Sequence, residues 1–316
     1  MRARSLPVGP VGPVLSARIV AADRARDPDR VWRWATFGPA LALMLAMSVL
    51  PLLNLFWTSF HNVAWADGQA TWTPVGFAHY RALADDGLFR AGLLNTTVFA
   101  LAAVAGQMLL GFFLALLCSR VTRGRVLYRA VFILPILIPG IVIGAIWKLM
   151  LNYDFGLANQ FIGLFGLEPR DWLGDAGTAL LSVVVVDIWH WTPFCFLLFL
   201  AGLESLPQDV YEAALIDGAT AWQELVFVTL PMMLPTILVT FAFRLVLAFK
   251  VFDEVYLLTS GGPGTATEVV SFTLYQRFFT EDRVGYGAAM SVAVIFLVSL
   301  LLVLALSARR RTEAGS

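Results

Sequence analysis

Six stretches of this chain are each long and apolar enough to cross a bilayer, and this leaves few folds open to it. A hydrocarbon core roughly 30 Å thick takes about 20 helical residues. The runs Phe37–Phe60, Leu93–Cys118, Ala130–Leu151, Ala179–Leu203, Met232–Phe252 and Gly287–Ser307 all meet that length. Inside hydrocarbon every backbone N–H and C=O must find a partner within the protein, which helices supply by themselves. The predicted class is therefore an all-α polytopic membrane protein with six transmembrane helices. Composition agrees, since 59% of the residues are hydrophobic and only 14% charged, against roughly 25% charged in a soluble domain. A net charge of zero argues against nucleic-acid binding through a basic face.

The arginines orient the spans. Cytoplasmic loops carry the excess of Lys and Arg. Arg2, Arg4, Arg18, Arg24, Arg26, Arg30 and Arg33 precede the first run, Arg120, Arg123, Arg125 and Arg129 follow the second, and Arg309, Arg310 and Arg311 follow the last. The opposite loops hold only Arg81, Arg90, Arg170, Arg277 and Arg283. Both termini are expected in the cytoplasm. The expected organisation is a tail over residues 1–36, a membrane domain over 37–307 and a second tail over 308–316. The first run follows an arginine-containing polar segment and reads as an uncleaved span, not a signal peptide.

One cytoplasmic loop, Glu204–Pro231, has no Lys or Arg at all and carries Glu204, Asp209, Glu212, Asp217 and Glu224 instead. Pro207 can open a helix there, and acids in its first turns suit the positive end of the dipole. Tyr211, Ala214 and Leu215 recur at helical spacing. Gly218 interrupts the pattern, and a second helical stretch, Ala221–Leu230, is expected to end at Pro231. Such an elbow is either a polar connector or a docking surface whose small residues admit a partner and whose acids meet its basic groups.

The spacing Glu212-Ala213-Ala214, Gly218, Leu230-Pro231 resembles the EAA loop of ABC importer permeases, with Val228 where that motif has Ile. The resemblance implies that the loop couples to an ATPase, with Glu212 and Asp217 presented to it, Ala213 and Ala214 in its groove and Gly218 at the turn. The stretch Phe249–Phe279, with Phe252-Asp253, Leu258-Thr259, Gly261-Gly262-Pro263, Thr267, Tyr275 and Phe278, then Gly285-Tyr286-Gly287, is similar to the carbohydrate-uptake subfamily. So is Ile146-Trp147-Lys148 through Asn159. This implies the type I importer fold in a bacterial inner membrane and the uptake of a sugar or related polyol. The implied partners are a second permease in a heterodimer, two ATPase subunits that bind ATP–Mg, and an extracytoplasmic solute-binding protein.

Ionisable groups within a span are costly and mark function by default. Lys148 and Lys250 lie near span ends and can snorkel to the interface. Asp187 in the fourth run and Arg244 in the fifth fall about eight residues below the same surface, so at about 1.5 Å per residue they share a level. They are predicted to face the interior as an ion pair or as two poles of a polar cavity. His190 follows on the same helical face, and with Trp191 the four either order the bundle or line the substrate path. Pro135, Pro139 and Gly140 should interrupt the third run and Pro193 the fourth, while Gly140 and Gly144 form a GxxxG.

No phosphate-binding GxxxxGK[ST], HExxH or GxSxG motif occurs. His61, His79 and His190 are too scattered for a metal, and Cys118 and Cys195 sit in apolar runs as small buried residues. No catalysis by this chain and no cofactor of its own are expected. A secondary, ion-coupled transporter is the alternative. It would share the intramembrane charges but have no use for the elbow.

Overall fold

The computed structural model describes residues 28–66, 68–119, 121 and 124–313. The arginine-rich stretch over residues 1–27, together with Arg120, Arg123 and the last three residues, lies outside the described residues. The chain divides at Trp57 into two units. The first ends in α1, Pro28–Ser59, whose apolar part is the membrane-length segment Trp34–Ser59. It begins nine residues earlier than the run read from sequence.

The second unit holds the remaining spans. It opens with a hairpin, β1 His61–Ala66 against β2 Gln69–Pro74, paired antiparallel from His61 opposite Pro74 to Ala66 opposite Gln69. A short helix α2, Ala78–Asp85, leads into α3, Gly87–Ser119. Asp86 caps α3, its Oδ1 accepting the N–H groups of Leu88 at 2.8 Å and Phe89 at 3.1 Å. That cap starts the helix six residues before the apolar run.

The third run is bent. It divides into α4, Arg125–Ile133, a 3₁₀ turn at Leu134–Leu137 and α5, Gly140–Met150. The two halves meet at 93°. Pro135 and Pro139 cause the break, because proline lacks the N–H and forces the preceding residue out of helical geometry. The described residues thus hold five helices long and apolar enough to span, six if the bent pair counts as one. The GxxxG face of α5 is in close use. A Cβ on Gly140 would stand 2.9 Å from Asp253 Oδ2, and one on Gly144 would stand 2.8 Å from Leu257 Cβ.

After α6, Leu157–Gly163, the fourth span is α7, Ala179–Glu204, which runs unbroken through Pro193. Helix α8 covers Gln208–Ile216. The fifth span, α9, is continuous from Ala221 to Ala248. It does not stop at Pro231. A π-helical stretch, Glu224–Thr229, precedes the proline, and the Leu230 N–H reaches back five residues to Leu225 O. The wider turn takes up the missing donor without a break. Two short helices, α10 Asp253–Leu258 and α11 Val270–Tyr275, precede α12, Val284–Glu313, which continues past Ser307.

Helices α3 and α7 form the centre of this unit and pack together over most of their lengths. Phe99, Ala100, Ala103 and Val104 of α3 meet Val183, Val184 and Val186 of α7 in one apolar cluster. Small residues on α3 let the backbones approach closely, which is how helices associate where lipid is as apolar as the side chains. A second cluster, with Ala115, Cys118, Cys195, Phe196 and Met233, fills the end nearer the elbow.

Candidate functional site

Between the two apolar clusters lies a layer of polar side chains. Asp187, His190 and Trp191 fall on one face of α7, three and four residues apart. Asp187 is 2% exposed and Arg244, from α9, is 1% exposed. They form an ion pair, the Arg244 NH2 group donating to Asp187 Oδ2 at 3.2 Å. Gln107 of α3 closes a triangle. Its amide donates to the same Oδ2 at 2.7 Å, and its Oε1 accepts from Arg244 Nε at 2.7 Å. The Gln107 amide also reaches the Asp187 carbonyl at 3.1 Å.

The guanidinium carbon of Arg244 lies 4.6 Å from the Trp191 ring centroid, a cation–π contact. One step along α7, His190 Nδ1 meets Glu254 Oε1 of α10 at 2.9 Å, and both side chains are buried. Of the two arrangements read from sequence, the structure adopts the ion pair. Four elements, α3, α7, α9 and α10, are tied by it and its neighbours. Removing one member of a buried pair leaves an uncompensated charge and costs about 3–5 kcal/mol.

Gln107 and Glu254 were not foreseen. Gln107 is an uncharged amide in an apolar run, and such residues bond across helices in membranes. Glu254 belongs to the Phe252-Asp253 motif stretch, but the fold of α10 turns it inward. Lys148 and Lys250 are exposed, as span-end lysines should be.

The elbow is built from the residues that marked it. Pro207 precedes α8, and Gly218 adopts a left-handed φ of +76° where the chain turns. A non-glycine L-residue pays about 1–2 kcal/mol in that conformation. Thr220 caps the next helix in a reciprocal capping box with Gln223. Tyr211 OH lies 3.1 Å from Thr229 Oγ1 and fastens α8 to the π stretch of α9. Behind the elbow Arg129 of α4 pairs with Glu204 at the end of α7.

The tip itself is bare. Glu212, Ala213, Asp217 and Gly218 are exposed, and Ala214 and Leu230 are half-buried. Leu215 is 75% exposed, Ile216 85% and Trp222 71%. The elbow thus presents an exposed apolar patch edged with acids, of the kind that marks a protein or membrane contact.

At the opposite end, the motif residues of the fifth loop hold one another. Thr267 Oγ1 lies 2.7 Å from Thr259 Oγ1 and donates to Gly262 O at 2.7 Å. Asn95 donates to Thr265 O at 2.8 Å and Glu268 O at 2.9 Å. Burial raises the Glu268 carboxyl above its ordinary value, against a hydrogen bond from Thr273. Tyr286 OH donates to Asp86 Oδ2 at 2.7 Å, and Arg277 stands 3.5 Å from the same atom. Burial alone would raise Asp86, but the Tyr286 hydroxyl, the capped N–H groups and Arg277 together hold it below the usual carboxylate range. Asn159 ties its loop, accepting from Trp172 Nε1 at 2.8 Å and from Arg170 N at 3.0 Å.

The class that the bundle, its buried polar layer and the exposed elbow define is a multi-pass membrane permease. The chain belongs to the family of binding-protein-dependent transport system inner membrane components, whose model matches residues 107–312. It is 36% identical over 264 residues to the trehalose/maltose transport system permease protein MalF of Thermococcus litoralis, covering 82% of this chain and 87% of that one. It is 31% identical over 272 residues to the sulfoquinovosyl glycerol transport system permease protein SmoG of Agrobacterium fabrum, covering 86% of this chain and 88% of that one. Its fold matches a bacterial ABC transporter involved in the import of the acidic polysaccharide alginate. That match has a TM-score of 0.78 and 24% identity, over 90% of this chain and 97% of the other.

The chain is thus a multi-pass inner-membrane permease component of an ABC importer, served by a solute-binding protein. ATP hydrolysis belongs to a separate subunit. The ion-coupled alternative is set aside.

Proposed function

We propose that this permease forms the path for a sugar or related polyol and converts ATPase closure into alternating access. The observation that carries the reading is the bare elbow, an EAA-type turn with Gly218 at φ +76° and Leu215, Ile216 and Trp222 uncovered. In this reading Glu212, Ala213, Ala214, Asp217 and Gly218 seat in an ATPase cleft, while Leu230 and Pro231 join the elbow to the fifth span. The substrate class rests on the Phe249–Phe279 motif stretch and on relatives named for trehalose/maltose and sulfoquinovosyl glycerol transport.

The assembly has a second, distinct permease, two ATPase subunits that bind ATP–Mg, and the solute-binding protein. Residues 1–36 and 308–316 face the cytoplasm together with the elbow loop 204–231, by the arginine asymmetry. Trp191 lines the substrate path as a stacking surface, and Asp187, His190 and Arg244 form and brace the wall behind it. For the ATPase to drive transport it must bind the two permease conformations with different affinity.

Cysteine placed at Ala214 should cross-link to the ATPase subunit in the assembled importer. Capture of no nucleotide-hydrolysing partner, or labelling of that cysteine from outside the cell, would overturn the reading. Alanine at Trp191 should lower sugar uptake while the assembly stays intact; unchanged uptake would remove Trp191 from the path.

A further inference from the structure

A cavity of about 620 Å³ opens at the end of the bundle away from the elbow, with Lys148, Tyr256, Phe272, Tyr275, Gln276 and Glu281 in its wall. Its aromatic side is ordered. Phe252 stacks on Tyr256 at 5.3 Å with ring planes 21° apart, Tyr275 lies 5.2 Å from Phe252, and Tyr256 and Tyr275 meet at 5.8 Å. Phe252 and Phe272 belong to or pack on the central apolar cluster, so these rings stand on a rigid base.

The polar side is uncommitted. Among the described residues, Lys148, the Tyr256 and Tyr275 hydroxyls and the Gln276 amide have no hydrogen-bond or ion partner within the chain. Glu281 is different, being held by Arg277 at 2.7 Å. A wall of aromatic faces beside free donors and acceptors, in a volume within the roughly 300–1,000 Å³ typical of ligand sites, suits a ring sugar. Its C–H faces stack on the tyrosines while its hydroxyls meet the amine, amide and phenols.

Helix α10 joins this cavity to the buried layer. Glu254 binds His190 on one side of that helix, and Tyr256 and Leu257 line the cavity on another. We propose that the cavity is an entry subsite, which receives a carbohydrate by ring stacking before it reaches the path beside Trp191. The proposal rests on the sugar-import reading and assigns that reading a second binding place.

The test uses the assembled importer with its own binding protein. Radiolabelled maltose, trehalose, sucrose and arabinobiose are offered beside the acyclic polyol sorbitol, and the best-transported ring sugar is taken forward. Tyr256→Ala and Tyr275→Ala should each raise the half-saturating sugar concentration about tenfold with the maximal rate kept within about twofold, whereas the Phe variants, which keep the ring face and lose only the phenol, should fall between these and wild type. Unaltered half-saturation, or a fall in maximal rate alone, overturns the subsite and leaves the sugar-import reading standing. Transport of none of the five sinks both. Transport of sorbitol but no ring sugar sinks the subsite and leaves a polyol importer.

A second measurement is independent of folding in the alanine variants. Lys148→Cys is labelled with a membrane-impermeant maleimide, against a low background because Cys118 and Cys195 are buried. The ring sugar should slow labelling about fivefold and sorbitol should not. Labelling that no sugar slows, or a cysteine unreactive because another subunit covers it, refutes the proposal.

Discussion

Asp187 and Arg244 meet at 3.2 Å in the middle of the bundle, nearly sealed from solvent and bridged by Gln107. Glu212 and Asp217, at the elbow, have no ionic partner among the described residues and face outward. The two regions use the same residue chemistry for opposite ends. In the bundle, charge is consumed internally, so its loss is felt first as instability. At the elbow, on the proposed reading, charge is held for another protein, so its loss should be felt as lost work with the fold intact.

The largest effect should separate these directly. Asp187→Ala leaves Arg244 buried without a counter-charge and should cost about 3–5 kcal/mol, read as a fall in Tm of the purified assembly. Pairing Asp187→Leu with Arg244→Met should recover part of that stability, since an apolar pair of similar volume is often neutral but the buried Gln107 amide loses both of its side-chain partners. If the restored double variant also transports normally, the charges serve only the architecture. Persistent loss of uptake would place them in the path.

Glu212→Arg comes next and should be the mirror image. Uptake should fall at least about tenfold, equivalent to about 1.4 kcal/mol of coupling, with Tm unchanged. Wild-type uptake in this variant would break the comparison at the elbow. Gly218→Val should follow, costing about 1–2 kcal/mol from the left-handed backbone, while Gly218→Asn should be milder. No atom lies within 4 Å of the added Cβ, so this effect is one of backbone alone.

The smallest effect concerns Asp86, which is half-buried, belongs to neither region and serves as a control. Its carboxyl is held below the ordinary value, so it stabilises the fold above that value and loses this role as pH falls through its folded pKa. Asp86→Ala should cost about 1 kcal/mol at neutral pH through the lost helix cap. The gap from wild type should close as pH drops through the carboxylate range; a pH-independent gap would assign it all to packing.

Much of this was readable from residue order because helices advance at a constant rate. Counting residues from the surface placed Asp187 and Arg244 at one level, and the fixed spacing from Glu212 to Pro231 located the elbow. What escaped depended on chain path, not on periodicity. Glu254 follows the fifth run, and only the inward turn of α10 brings it to His190. Gln107 carries no charge and so does not stand out beside the ionisable groups of the spans. The third run satisfied a length criterion, yet Pro135 and Pro139 divide it at 93°. The hairpin is a different case. Val63 and Trp65, the Asp67-Gly68 pair and Trp72 make the alternating pattern and turn dipeptide of a hairpin, a signal that is short beside the apolar runs on either side of it.

The π-helical stretch Glu224–Thr229 lies where the elbow joins the fifth span, in a helix continuous to Ala248. A rod without a loop transmits torque, and its one overwide turn is the place where pitch can change. Rewinding that stretch to ordinary pitch would rotate the elbow against the span by about 100°, the angular step of one residue at 3.6 per turn. A join of this kind would work as a crankshaft does, turning a local change of winding into a sweep of everything beyond it.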